Sequence, residues 1–232
     1  MEHIGSGWQF DVYATGERVR KVPVTPLRMA IRVLRSYPGL LLRPHKLVAK
    51  VRKLTAERTA VLKELDRRQL HDYLLANFRN ERGVYTQDRV TTLEDVFALS
   101  RLDARWVLDR YVQSIKSGWQ SGMAETSFNF TVNHGMDRHG RVVVLDVGEL
   151  SFDRDEALDL VASRFWERAY SVQTLPESLR TYLLRTMARE ITPRALMRIW
   201  RDAPRRPIAP HAPDRPAYRR ERTGEPATVV HA

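Results

Sequence analysis

The run Arg141-Val142-Val143-Val144-Leu145-Asp146-Val147-Gly148 constrains the fold more than any other part of the chain. Three consecutive valines and a leucine suit a buried strand, and the aspartate and glycine end it. Upstream, Asn129-Phe130-Thr131-Val132-Asn133 alternates polar and apolar residues. The intervening His134-Gly135-Met136-Asp137-Arg138-His139-Gly140 has the composition of a glycine-containing loop. Residues 128–133 and 141–147 are therefore expected to pair as a β-hairpin.

Around this hairpin the periodicity changes. Residues 4–24 read as a strand, a glycine turn and a second strand ending at Pro23. Tyr13 to Arg18 reads as a hairpin connection in which Gly16 takes a positive φ. Residues 27–53 are basic and amphipathic and are interrupted at Pro38-Gly39 and Pro44. Leu27, Ala30, Ile31 and Leu34 share one helical face, with Arg28, Arg32 and Arg35 on the other. The longest helical pattern covers 55–79, with Thr55 as N-cap and Leu62, Leu65, Leu70, Leu74 and Phe78 as its apolar positions. Short strands are expected at Val84-Tyr85-Thr86 and Arg89-Val90. Helices follow from Thr92, over Asp103 to Lys116, over Asp153 to Tyr170, and over Pro176 to Trp200 with a break near Thr192-Pro193. The chain is thus read as α+β. A small antiparallel sheet lobe covers about 1–97 and carries the basic insertion 27–53, and a helical lobe covers about 98–202. From residue 203 onward, six of the 12 prolines fall among charged and small residues, and a disordered tail is expected there.

Composition narrows the function. With no cysteine, disulfides and thiolate metal sites are excluded, which suits a reducing cytoplasm. No apolar run is long enough to span a bilayer, and the N-terminus lacks a signal pattern. The net charge of +11 is concentrated: residues 18–53 hold 11 of the 39 basic residues and none of the 28 acidic ones, so the remainder is balanced. Such a stretch implies a localised anionic partner. Leu40, Leu41, Leu42, Leu47 and Val48 beside Arg43, Lys46 and Lys50 suit an anionic membrane surface, with a peripheral location. An acidic protein would also fit. Nucleic acid fits less well, because no nucleic-acid-binding motif accompanies the charge. The bland alternative is an insertion whose apolar side packs on the lobe while its charges face water.

Near the start, Gly5-Ser6-Gly7 precedes Val12-Tyr13 and Val19-Arg20-Lys21-Val22. Glycines let backbone N–H groups approach phosphate oxygens, and a strand lysine adds a fixed positive charge. Taken in order with Asn129 and Asp146-Val147-Gly148, these segments resemble four features of the protein kinases and aminoglycoside phosphotransferases. The features are the glycine-rich loop, the strand lysine, the metal-binding asparagine and the Asp-Phe-Gly aspartate. The resemblance covers about residues 4–150. It implies a protein-kinase-like fold with a reduced helical lobe, binding ATP with Mg²⁺. Gly5 and Gly7 would cover the phosphates, Lys21 would contact them, and Glu57 or Glu64 would pair with Lys21. Asn129 and Asp146 would hold the metal, and Glu149 would help shape that site or salt-bridge to a basic side chain. Asn133 rivals Asn129; Asn129 is preferred because Phe130 and Val132 then form the strand that follows it. Phe10 stands where the third glycine is usual, and Trp8 inside the loop is placed to cover a ligand.

One residue of the pattern is missing. Kinases place an aspartate five residues before the asparagine to orient the acceptor hydroxyl. Here that position is Ala124 or Phe128, neither of which accepts a proton. Glu125 is the nearest carboxylate and the catalytic candidate. His-Arg-Asp and Ala-Pro-Glu segments are also absent from the sequence. The implied function is an atypical phosphotransferase or a pseudokinase. The alternative is a non-catalytic interaction protein that binds an anionic partner through residues 18–53. His134 and His139 read as solvated loop residues, and Trp106, Trp119, Trp166 and Trp200 as core.

Overall fold

The computed structural model describes residues 1–68, 70, 74–81, 83–99 and 102–201. Three strands open the chain: β1 (Glu2–Ser6), β2 (Phe10–Thr15) and β3 (Arg18–Pro23). They are antiparallel neighbours, and Gly16 turns β2 into β3 at φ 65°. That left-handed backbone costs little only for glycine. Two helices interrupt the sheet, α1 (Pro26–Ser36) and α2 (Pro44–Arg68), joined by one 3₁₀ turn at Pro38–Leu42. Strands β4 (Arg79–Glu81) and β5 (Val84–Asp88) then complete a five-stranded antiparallel sheet in the order β1-β2-β3-β5-β4.

The prolines break the basic stretch where the sequence places them, but the helix read over 55–79 is shifted. It begins at Pro44, a residue tolerated in a first helical turn. Thr55 lies mid-helix, its hydroxyl donating to the Val51 carbonyl at 2.8 Å instead of capping. The cause is tertiary: Met29 and Val33 of α1 pack against Val51, with Leu47 and Leu54 beside them, so the apolar face extends backwards. At the other end Leu74 and Leu75 leave the helix and enter a turn, and Arg79–Glu81 is an edge strand.

The second half holds β6 (Thr91–Thr92), α3 (Leu93–Leu99), α4 (Ala104–Gln120), β7 (Ala124–Glu125) and α5 (Phe130–Asn133). After these come β8 (His134–Met136), β9 (Val142–Val144) and β10 (Leu150–Ser151). Helices α6 (Arg154–Ala162), α7 (Tyr170–Gln173), α8 (Glu177–Glu190) and α9 (Pro193–Ile199) close the described chain. The expected hairpin exists with a different first strand: His134–Met136 pairs with Val142–Val144, and Phe130–Asn133 is a helical turn. Phe130 is fully buried and stacks on Tyr111 at 4.6 Å, while Ser171 Oγ contacts Thr131 N at 3.1 Å and Thr131 Oγ1 at 2.7 Å. These contacts curl a segment whose alternation suits a strand. Gly135 permits β8 to pass the inter-lobe segment closely: a Cβ there would lie 2.6 Å from Val90 Cγ2 and 2.7 Å from the Thr91 carbonyl oxygen. His134 is correspondingly a buried strand residue, whereas His139 is exposed.

The hydrophobic core has three parts. The largest packs α4, α6, α8 and α9 around Trp119, Trp166, Phe130 and Leu108. A second joins the sheet to the helical half through Phe10, Val61, Leu65, Tyr85, Val144 and Val147. The third is the small cluster between α1 and α2. The four tryptophans expected in the core are there, Trp106 only partly buried. No helix among the described residues is long and apolar enough to cross a membrane. The tail expected from residue 203 lies outside the described residues.

Candidate functional site

Between the sheet and the helical half lies a cleft of about 850 Å³. Gly5, Gly7, Lys21, Glu57, Glu64 and Asp146, all singled out in the sequence, line it. Its roof is the β1–β2 turn, closed by a hydrogen bond from Gly7 N to the Phe10 carbonyl at 2.9 Å. Phe10, at the place of a third glycine, is buried in the core joining the two halves and anchors the turn. Two arginines fix the turn from outside. Arg58 donates to the carbonyls of Gln9 (2.9 Å) and Val24 (3.0 Å), and Arg32 donates to the Gly7 carbonyl (2.5 Å). Arg32 also pairs with Asp11 at 2.5 Å. Burial raises the Asp11 pKa, but hydrogen bonds from Arg32 and Ser6 and the nearby Arg28 charge outweigh it, so the carboxyl sits below its usual range. Trp8 packs against Tyr37 at 5.8 Å, and Lys50 Nζ lies 4.9 Å above its ring.

Lys21 stands mid-strand, opposite Val12 on one side and Tyr85 on the other. Its side chain crosses the cleft and donates to the Leu145 carbonyl. Burial lowers the Lys21 pKa, and the carboxylate of Asp146 partly restores it. The lysine and the aspartate, 125 positions apart, therefore share one floor, because β3 and the end of β9 meet there.

Asp146 is held by its neighbours. Its Oδ1 accepts from Gly148 N at 2.9 Å, and the Asn133 carbonyl accepts from the backbone N–H groups of Leu145 (2.7 Å) and Asp146 (3.3 Å). Asn133 thus sits beside Asp146. Its amide Nδ2 donates to Ser127 Oγ at 3.0 Å, which turns the amide oxygen away from Ser127. Asn133 lines the cleft and Asn129 does not. Asn129 instead precedes α5 as its N-terminal residue, with its Oδ1 buried and unpaired. The ground for preferring Asn129, a strand starting at Phe130, is corrected: the strand starts at His134, directly after Asn133. Glu149 also lines the cleft, and burial together with the Asp146 charge pushes its pKa up, against a hydrogen bond from Ser127.

The two glutamates expected to pair with Lys21 have other partners. Glu64 is clamped by Arg67 (2.7 Å) and Arg68 (2.8 Å), and these hydrogen bonds pull its pKa to about 2. Glu57 is exposed and lies 3.6 Å from Lys53. Among the described residues neither forms a hydrogen bond or ion pair with Lys21.

Glu125 does not line the cleft, although the adjacent Thr126 and its strand partner Leu150 do. It is buried in the helical half, accepting from the Tyr111 hydroxyl at 2.6 Å, with His134 Nε2 3.0 Å from its other oxygen. That second oxygen has no aligned donor, so the His134 contact is a proximity and not a hydrogen bond. Burial and the adjacent carboxylate raise the Tyr111 pKa strongly, keeping the phenol a donor. The candidate base thus has one oxygen held by Tyr111 and the other beside His134. Phe128, five residues before Asn133, is buried at φ 54°, a conformation unfavourable for a bulky residue, and its ring meets Trp166 at 5.9 Å.

Sequence reasoning missed Gln9. Its side chain reaches from the roof to the Gly148 carbonyl at 3.5 Å, bridging the glycine turn and the Asp146-Val147-Gly148 floor. Its Oε1 is buried without a partner. A glutamine in a turn carries no local sign of a contact with a residue 139 positions away. Among the described residues, no three His, Cys, Asp or Glu side chains gather as a ready-made metal centre. No protein-family model matches the chain, and no curated protein matches it.

Proposed function

We propose that the cleft binds a nucleoside triphosphate, ATP, with Mg²⁺, in a divergent protein-kinase-like arrangement that lacks the acceptor-orienting acid. The observation that carries this reading is the meeting of Lys21 with Asp146 beneath the Gly5–Gly7 turn. A desolvated ammonium beside the Asp146 carboxylate is well disposed to take an anion, and glycine backbone allows close approach of phosphate oxygens. Lys21 would bind the phosphates. Asp146 and the amide oxygen of Asn133 would hold the cation, both being hard oxygen donors. The donor set fits magnesium, which keeps several waters and phosphate oxygens and needs few protein ligands. Glu149 supports the fit: its proton affinity is raised partly by the Asp146 charge, a repulsion that a divalent cation would relieve. When bound, the metal would neutralise charge on the phosphates.

The same residues argue against ordinary kinase chemistry. Ala124 and Phe128 are buried and apolar, and Glu125 is committed to Tyr111. The cleft is therefore read as a nucleotide-binding site of pseudokinase type.

A thermal-shift titration tests this. With nucleotide at about a hundred times its Kd, the expected stabilisation is about 2.7 kcal/mol, seen as a rise of several degrees in Tm. Asp146→Ala should lose the Mg²⁺-dependent part of the rise, and Lys21→Met the nucleotide-dependent part. No stabilisation of the wild type at millimolar ATP and Mg²⁺ would overturn the proposal.

A further inference from the structure

The five-stranded sheet forms its hydrogen-bond ladder without the hairpin of α1 and α2, which closes on its own small core of Met29, Val33 and Val51. Having filled that core, the hairpin leaves large apolar side chains in water. Leu41 and Leu42, in the 3₁₀ turn at its tip, are 72% and 86% exposed, and Val48 on the next helical turn is about half exposed. Single exposed leucines are ordinary, but an adjacent pair on a projecting turn is not. Around the tip stand Arg35, Arg43 and Lys46, all exposed, and none forms an ion pair with an acid among the described residues. The whole of 18–53 contains no acid to neutralise them.

We propose that this tip docks on an anionic lipid surface, with Leu41 and Leu42 entering the headgroup layer and Arg35, Arg43 and Lys46 resting on its phosphates. The leucines decide between partners. A nucleic-acid backbone rewards the cations and leaves the leucines in water, whereas a lipid surface accommodates both. The docked hairpin also orients the cleft. Lys50 Nζ lies 4.0 Å over Tyr37 and 4.9 Å over Trp8, and Arg32 holds the Gly7 carbonyl at 2.5 Å, so the cleft roof is fastened to the element that meets the surface. The proposal is independent of what the cleft binds.

The test is co-sedimentation of the full chain with phosphatidylcholine vesicles, with vesicles in which about a third of the lipid is phosphatidylglycerol, and in parallel with a DNA duplex. Binding is expected to the anionic vesicles alone among the two lipid mixtures, and to weaken at least about tenfold between low and high salt as surface charge is screened. L41S/L42S, at sites too exposed to affect folding, should lower vesicle binding by about tenfold or more and leave duplex binding unchanged. R43E/K46E should lower it further. Because the chain has no cysteine, Leu42→Cys carrying an environment-sensitive fluorophore reports the tip alone, and its emission should shift to the blue on anionic vesicles. Wild-type sedimentation by L41S/L42S, or an unshifted emission at residue 42 on bound vesicles, overturns the proposal. The first result together with tight duplex binding would assign the charge to nucleic acid.

Discussion

The helical half and the cleft half differ in what they bury: mostly apolar side chains in one, an ammonium and neighbouring carboxylates in the other. In the helical half, α4, α6, α8 and α9 close on an apolar core in which Trp119 and Trp166 are almost wholly buried; the Tyr111 hydroxyl holds one oxygen of Glu125, while its other oxygen, Asn129 Oδ1 and Trp166 Nε1 are buried without a partner. In the cleft half a lysine is buried beside one carboxylate, Gln9 leaves an oxygen unpaired, and Glu149 is pressed against Asp146. An apolar core gains free energy with every surface it covers, while a buried charge costs free energy unless it is matched. The helical half therefore gains more from apolar burial, while the cleft holds a buried ammonium and two neighbouring carboxylates.

Truncation of the apolar core should have the largest effect. Trp166→Ala should lower stability by about 3–5 kcal/mol in urea unfolding, and Met29→Ala, in the small cluster of the hairpin, by about 2–3 kcal/mol. Equal losses would break the contrast between the halves. Gly135→Ala should cost about 1–3 kcal/mol, because its Cβ would press on the Thr91 carbonyl where the two halves approach. Lys21→Met should change stability by less than about 1 kcal/mol, since the buried ammonium is only partly compensated and a methionine fills similar space. It should still abolish nucleotide-dependent stabilisation. A large loss of stability would mean that Lys21 is structural.

The smallest and sharpest effects are in pH dependence, and two glutamates should show opposite signs. The folded pKa of Glu149 is raised above its ordinary 4.5, so the folded chain binds that proton more tightly and stability falls as pH rises from 4.5 through the raised value. Glu149→Gln should remove this decline. The folded pKa of Glu64 is about 2, so its contribution is complete above its ordinary 4.5 and is lost as pH falls from there towards 2. Glu64→Gln should flatten that acid limb. Melting temperatures of both variants between about pH 2 and 8 check the pair; matching slopes would show that the two sites do not differ.

Local features were legible from the residues. Gly16 had to turn, Pro38 and Pro44 had to break the basic helix, and Val142 to Val144 had to form a strand. Gly5, Gly7, Lys21 and Asp146 were legible as a group, and they do line one cleft. The errors came where a distant partner outweighed local preference. Phe130 curls its segment because Tyr111 stacks on it, which moves the strand start to His134 and brings Asn133, not Asn129, beside Asp146. Glu125, read as the nearest carboxylate to the missing acid, has Tyr111 and His134 against it, contacts with no local trace. Glu64 reads as a partner for a strand lysine until Arg67 and Arg68 claim it.

By itself, the order of residues determined the elements, the turns, and the bias of charge towards 18–53, because these depend on side chains within a few positions of each other. Only the tertiary structure decided which asparagine faces the cleft, which carboxylates are free to act there, and which leucines remain in water. Each of those outcomes depends on burial and pairing with a partner far along the chain, and such competition has no local trace.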